Sequence, residues 1–151
     1  MRLVVQRVTS ASVVVAGKIV GEIGGGLLVL VGVAPGDGNE DIGWLARKLV
    51  TLRIFEARAG GQMAQSVADL QGGILLVSQF TLFASMKKGT KPSFSRAAPP
   101  DKAEAVYEDF VATVSSELGR EVETGIFGAL MEIRSVNDGP VTLILDSRNR
   151  E

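Results

Sequence analysis

Apolar, β-branched runs fill most of this chain and only two stretches show helical spacing, a pattern that confines it to a layered α+β architecture. The first third is β-like throughout: "RLVVQRV", then "ASVVVAGKIVGEI", then the fully apolar "GGGLLVLVGVA". Ala16-Gly17-Lys18 predicts a hairpin, and Gly24 to Gly26 read as a flexible hairpin connection. No Gly-Lys-Ser/Thr follows those glycines, so they are not a phosphate loop. Ile42, Leu45 and Leu49 recur at helical spacing behind Asn39 or Asp41 as N-cap. "TLRIFEARAGGQM" reads as a short strand and a polar loop, and "GGILLVSQFTLFAS" as a strand throughout.

The second helix is the best marked element. Proline stands at its entry, Ala103, Val106, Tyr107, Phe110, Val114 and Leu118 form one stripe, and Gly119 supplies the stop. Strands return from Glu121 to Asp146. At 151 residues, with neither a repeat nor a linker, the expectation is one domain over 1–151. Its strands are mostly antiparallel, in a layered β/β/α arrangement with a barrel-like double sheet and two main helices.

Composition matters chiefly through what is missing. Histidine and cysteine are both absent, which removes disulfides, thiolate nucleophiles and every mechanism with a histidine general base. A net charge of −1 argues against a protein that coats nucleic acid through overall charge. No apolar window approaches a membrane span, and the expectation is a soluble cytoplasmic protein.

Polar atoms nevertheless interrupt one apolar strand, at Ser78, Gln79 and Thr81. A period of two would put Gln79 and Thr81 on one face, with Ser78, Phe80 and Leu82 on the other. Ordinary strand hydroxyls explain them; a nucleophile would need a neighbouring base, and Lys88 or Lys91 is the available kind. No acidic residue lies between Gln71 and Pro100, whereas Lys87, Lys88, Lys91 and Arg96 cluster there. Such a patch holds a phosphate backbone, or is simply a solvated loop. Met86 and Phe94 flank it as a stacking surface or as core. Near the end, "SVNDGPVTLILD" breaks a strand-like run with Asn137-Asp138-Gly139-Pro140, which local rules read as a turn.

"SQFTL" (Ser78 to Leu82), "KGTKPSF" (Lys88 to Phe94), "TGIFGALM" (Thr124 to Met131) and "NDGPVT" (Asn137 to Thr142), with "MRLVVQRVTSASV" and "RIFE" at Arg53, resemble the motifs of the D-aminoacyl-tRNA deacylase family. The resemblance spans the whole chain and departs from the family pattern at Ala64, Gln65, Ser85 and Leu130. It implies a homodimeric hydrolase of the ester joining a D-amino acid to the 3′ acceptor end of tRNA, a proofreading activity; if L esters are rejected through collision of the side chain, glycyl-tRNA, with none to collide, is expected to be a further substrate. No cofactor and no metal are expected.

By the same resemblance, Ser78, Gln79, Phe80 and Thr81 form the catalytic segment. The amides of Phe80 and Thr81 polarise the ester carbonyl, while Ser78 and Gln79 fix the ester and terminal adenosine. Thr81 is sometimes read as the nucleophile in this family; the competing reading, adopted here, gives the decisive hydroxyl to the tRNA's own 2′-OH. Phe127, Met131 and Asn137 line the substrate site, and Lys87, Lys88 and Lys91 meet RNA. Gly139-Pro140 is expected to be cis and to enter the partner subunit's pocket, rejecting L-aminoacyl esters. The rival classes are a serine or threonine hydrolase of another ester, and a non-catalytic RNA-binding module.

Overall fold

The computed structural model describes residues 1–57 and 61–150; the centre of the polar loop, residues 58–60, lies outside the described residues. The long strand β1 (Arg2–Val15) organises the sheet. Its first half pairs with β3 (Gly26–Gly32), from Arg2↔Gly32 to Val8↔Gly26, and its second half pairs with β2 (Lys18–Ile23). On its other side β8 (Glu132–Asp146) runs antiparallel along nearly its whole length. β6 (Gly73–Ser78) joins β3 in parallel, and β7 (Glu123–Thr124) joins β6. The order is β2-β1-β3-β6-β7 with β8 paired to β1 off this path, and a separate ribbon joins β4 (Phe55–Glu56) to β5 (Met63–Gln65).

The sheet curls until its ends meet. A Cβ at Gly21 of β2 would stand 2.3 Å from the Thr124 carbonyl oxygen of β7, so glycine is needed for that approach. Alternate residues feed two cores. Leu27, Val29, Val31, Ile74 and Leu76 join Leu3 and Val5 beneath the helices, while Leu28, Leu75 and Val77 join Val8, Val13 and Ile23 inside the curl. Burial on both faces explains why β3 and β6 read as unbroken apolar runs.

Helices α1 (Asn39–Thr51) and α2 (Pro100–Leu118) cover one face, packed against each other. α2 buries Ala103, Tyr107, Phe110, Val114 and Leu118 and stops at Gly119, whose φ of 75° is the left-handed cap. For α1 the N-cap is Gly38, not Asn39 or Asp41. Asp41 caps from inside the first turn, its Oδ2 accepting the Gly38 N–H at 3.0 Å. Among the described residues no helix is long and apolar enough to cross a membrane.

Three connections differ from expectation. The Ala16-Gly17 hairpin forms as expected, but Gly24 to Gly26 do not make one: β2 and β3 pair with successive halves of the same side of β1 and not with each other. Gly26 is there because a Cβ would fall 1.9 Å from the Gly73 carbonyl oxygen. The strand expected through Ser85 ends at Ser78, because its partner β3 ends at Gly32. After a last bond from Gln79 N–H to the Val31 carbonyl at 2.7 Å, the chain coils into a 3-10 turn, Phe80–Phe83. The two-face alternation therefore fails beyond Ser78. Thirdly, Asn-Asp-Gly-Pro does not reverse the chain, and β8 continues through it.

Candidate active site

The register of β1 against β8 shows what the Gly-Pro string does. Gln6 faces Thr142 and Val8 faces Asn137, so β1 advances two residues while β8 advances five. Three extra residues are extruded, and Asp138, Gly139 and Pro140 are exposed. The Gly139–Pro140 peptide is cis, and Gly139 has φ 118°. A Cβ there would lie 2.9 Å from Val141 Cγ2 and 3.0 Å from Arg7 Nη2, so both angle and space call for glycine.

Arg7 holds this extrusion from beneath. It shares the inward face of β1 with Leu3 and Val5 and is 6% exposed. Its Nη1 donates to the Ile54 carbonyl at 2.6 Å, and its Nε donates to the Asp138 carbonyl at 3.3 Å and lies 3.0 Å from the Asp138 carboxylate. Asn137 ties the flanks together: its Nδ2 donates to Thr142 Oγ1 at 3.0 Å, and its Oδ1 accepts the Val141 N–H at 3.3 Å. Gln6 Nε2 also donates to Thr142 Oγ1, at 3.3 Å. Sequence reasoning gave Arg7 no role. The available signal was its parity, a charge on the same face as two buried aliphatic residues.

The second element is the turn after β6. Ser78 and Gln79 are half-buried, whereas Phe80 (54% exposed) and Thr81 face outward. The first amides of a 3-10 turn have no partner inside it, and neither Phe80 nor Thr81 N–H bonds to backbone outside it among the described residues. Thr81 Oγ1 accepts from Gln79 Nε2 at 2.5 Å. No lysine or carboxylate is hydrogen-bonded to that hydroxyl among the described residues, so nothing is placed to activate it.

Phe127 and Met131 lie on the segment after β7, which Gly125 pins to β6 by donating to the Leu76 carbonyl at 3.1 Å. Met131 packs with the inner core; a Cβ on Gly125 would lie 2.6 Å from its sulfur. Phe127 packs against Tyr107 of α2, ring centroids 5.9 Å apart. The Tyr107 hydroxyl donates to the Leu76 carbonyl at 2.9 Å, and burial pushes that phenol far above its ordinary pKa. Both residues thus sit beside Leu76 and Val77 of β6. Asn137, Gly139 and Pro140 lie elsewhere, across β1. No hydrogen bond or ion pair joins them to Ser78–Thr81 of the same chain among the described residues.

Lys87, Lys88 and Lys91 stand exposed on a loop closed by the reciprocal Ser85–Ser93 backbone bonds, 2.8 and 2.9 Å. Met86 stays in solvent, and Phe94 meets Phe80 edge-on with centroids 5.0 Å apart, so neither enters the core. Among the described residues no three carboxylates converge closely enough to share a metal ion.

Comparison with known proteins shows the family of the chain. The family model described as D-Tyr-tRNA(Tyr) deacylase matches residues 4–146. The D-aminoacyl-tRNA deacylase of Opitutus terrae is 56% identical over 151 residues, the full length of both chains, and that of Chromobacterium violaceum is 54% identical over the same span. Among solved structures, a protein named c-Myc DNA Unwinding Element Binding Protein superposes with a TM-score of 0.89 at 42% identity, covering 97% of this chain and 98% of its own. A probable eukaryotic D-amino acid tRNA deacylase shares the fold at TM-score 0.82 and 20% identity, over 95% and 97% of the two chains. The chain belongs to the D-Tyr-tRNA(Tyr) deacylase family.

Proposed function

We propose that residues 1–151 act as one deacylase domain in the cytoplasm, hydrolysing the ester of D-aminoacyl-tRNA to free tRNA and D-amino acid. One observation carries the reading. The two motifs at the centre of the resemblance occupy two exposed backbone elements of defined shape, the open turn at Phe80–Thr81 and the Arg7-held extrusion at Gly139–Pro140.

The domain works as a homodimer in which Gly139 and Pro140 of the partner subunit enter the groove beside Phe80. Three features support this. Among the described residues the two motifs are not bonded to each other within one chain and β8 has one paired side; and Leu130 (93% exposed), Val136 and Ile144 leave apolar surface beside it. The partner's carbonyls receive the substrate's ammonium group. With that group fixed, an L-side chain points into backbone and a D-side chain points to the open side, so selectivity arises by collision. Glycine, with nothing to collide, is hydrolysed too.

Bond cleavage rests on positioning. Water attacks the ester carbonyl, whose developing negative charge is met by the Phe80 and Thr81 amides. The C–O bond to the tRNA breaks, the 3′-oxygen takes a proton, and the amino acid leaves as its acid. An aminoacyl ester is reactive enough for alignment to supply much of the rate. The substrate's own 2′-hydroxyl, and not Thr81, which has no base beside it among the described residues, assists the attacking water. Ser78 and Gln79 fix the ester and adenosine, Phe127, Met131 and Asn137 shape the pocket, and Lys87, Lys88 and Lys91 meet the RNA backbone.

The test is release of amino acid from matched D-Tyr- and L-Tyr-tRNA, with a third substrate ending in 2′-deoxyadenosine. Rapid release from the D-ester alone, greatly slowed by the deoxy substitution, is expected. Equal rates on D- and L-esters, or RNA binding with no release, would replace this reading by one of the two rival classes.

A further inference from the structure

A cleft of about 330 Å³ opens between the β3–α1 connection and the end of the 3-10 turn. Arg2, Arg96, Arg148 and Asp146 line it, with Phe83 and Pro35 as its apolar walls. Two of the guanidiniums are held in fixed planes. Arg2 donates from Nε to Asp146 at 3.0 Å and from Nη1 to the Leu82 carbonyl at 2.9 Å, with its guanidinium carbon 5.0 Å from the centre of the Phe83 ring. Arg148 reaches the Pro35 carbonyl and pairs with Asp37 at 2.9 Å. Asp37 is fully buried and also pairs with the Met1 ammonium at 2.8 Å, so its charge is already shared.

Arg96 is different. It is exposed, and among the described residues it makes no ion pair or hydrogen bond. The cleft therefore carries an excess of positive charge: the Arg2 fork is taken up by Asp146, which its Nε and Nη2 both meet, and the Arg96 fork is open to match the geometry of phosphate oxygens. It is also close to the chemistry: a 3-10 turn rises about 2 Å per residue, so Phe83 at the cleft wall lies on the order of 6 Å along the turn from Phe80.

We propose that this cleft binds a phosphodiester of the RNA strand that leads to the terminal adenosine, an inference that rests on the D-aminoacyl-tRNA reading. Arg2 and Arg148 are preorganised by their protein partners, and Arg96 supplies the charge that the phosphate neutralises. The contact is distinct from the lysine loop, whose side chains have no such partners among the described residues. A phosphate held here sets the register of the acceptor strand, and with it the position of the ester over the turn.

The experiment measures binding of an uncharged RNA minihelix with a 3′-CCA end, by fluorescence anisotropy across a salt series. Arg96→Ala is expected to weaken binding about tenfold and to lower the slope of log affinity against log salt by about one. Arg96→Lys keeps the slope and loses part of the affinity. Lys18→Ala, which removes a charge at the β1–β2 hairpin, leaves both close to wild type. Methylphosphonate substitution at one of the last three linkages should reproduce the Arg96→Ala loss without adding to it. Wild-type affinity and slope in Arg96→Ala, or strict additivity with every methylphosphonate, would overturn the proposal. Because the probe is uncharged, the readout is independent of catalysis. Failure of the wild type to release D-tyrosine from its ester counts against the deacylase reading alone.

Discussion

Arg7 grips Asp138 twice, at its carbonyl (3.3 Å) and at its carboxylate (3.0 Å), and the same guanidinium donates to the Ile54 carbonyl at 2.6 Å. One buried side chain thus joins the segment after α1 to the base of the Gly139–Pro140 extrusion. A buried guanidinium is tolerable only when its donors are matched, so this arrangement fixes both ends or costs stability.

Arg7→Lys keeps the charge and loses the fork. Asp138 is half-exposed and water partly replaces its partner, so the stability loss should be modest, about 1–2 kcal/mol, read as a fall in Tm. The catalytic effect should be larger, because the extrusion loses its fixed direction: discrimination between D-Tyr- and L-Tyr-tRNA is expected to fall at least about tenfold. A loss of Tm with selectivity intact would assign Arg7 a structural role only.

Much of the architecture is legible in the sequence because the signals there are local. The α2 stripe, its Gly119 stop and the Ala16-Gly17 hairpin each depend on a few neighbouring residues, and all three form as read. The misreadings share another cause, a distant partner overriding a local rule. Asn-Asp-Gly-Pro has the composition of a turn, but β1 pairs with β8 on both sides of it and turns the break into an extrusion. "SQFTL" continues an apolar strand, yet β3 gives out at Gly32 and the chain coils at Phe80. At the site, residue types alone read Ser78 and Thr81 as ordinary strand hydroxyls and Gly139–Pro140 as a turn; the family resemblance singled out both. Arg7 went unassigned because its importance lies in Ile54 and Asp138, 47 and 131 positions away.

Thr81→Ala tests whether the hydroxyl or the backbone acts. The substitution leaves the Thr81 amide in place and frees Gln79 from its 2.5 Å bond. A rate reduced no more than about 10²-fold on D-Tyr-tRNA is expected, against the roughly 10⁶-fold loss typical of removing a true nucleophile. Ser78→Ala should behave similarly. Abolished turnover in Thr81→Ala would identify Thr81 as the nucleophile.

Asp146 sets an acid limit on stability. Burial pushes its carboxyl pKa up, but hydrogen bonds from the Arg148 amide and the Arg2 side chain, with the positive charge of Arg2, outweigh that and hold it below the usual carboxylate value. A carboxyl depressed in the folded state stabilises the fold above its unfolded pKa of about 3.9, and that contribution is lost as pH falls through the folded value. Urea midpoints should therefore decline as pH falls below about 4, and more gently in Asp146→Asn, which starts from a lower plateau at neutral pH. Parallel curves for the two proteins would contradict this.

Mixed dimers address the central claim, that each groove is completed by the other subunit's extrusion. Gly139→Ala spoils the extrusion, since its Cβ would crowd Val141 and Arg7. Phe80→Pro removes one carbonyl-polarising amide, and Gln79 before it (φ −148°, ψ 83°) lies outside the α region that a following proline disfavours. Each homodimer should be nearly inactive on D-Tyr-tRNA. Co-refolded mixed dimers should regain about half the wild-type rate per dimer, because one groove pairs an intact turn with an intact extrusion from across the two-fold axis. Mixed dimers as inactive as their parents would contradict the account.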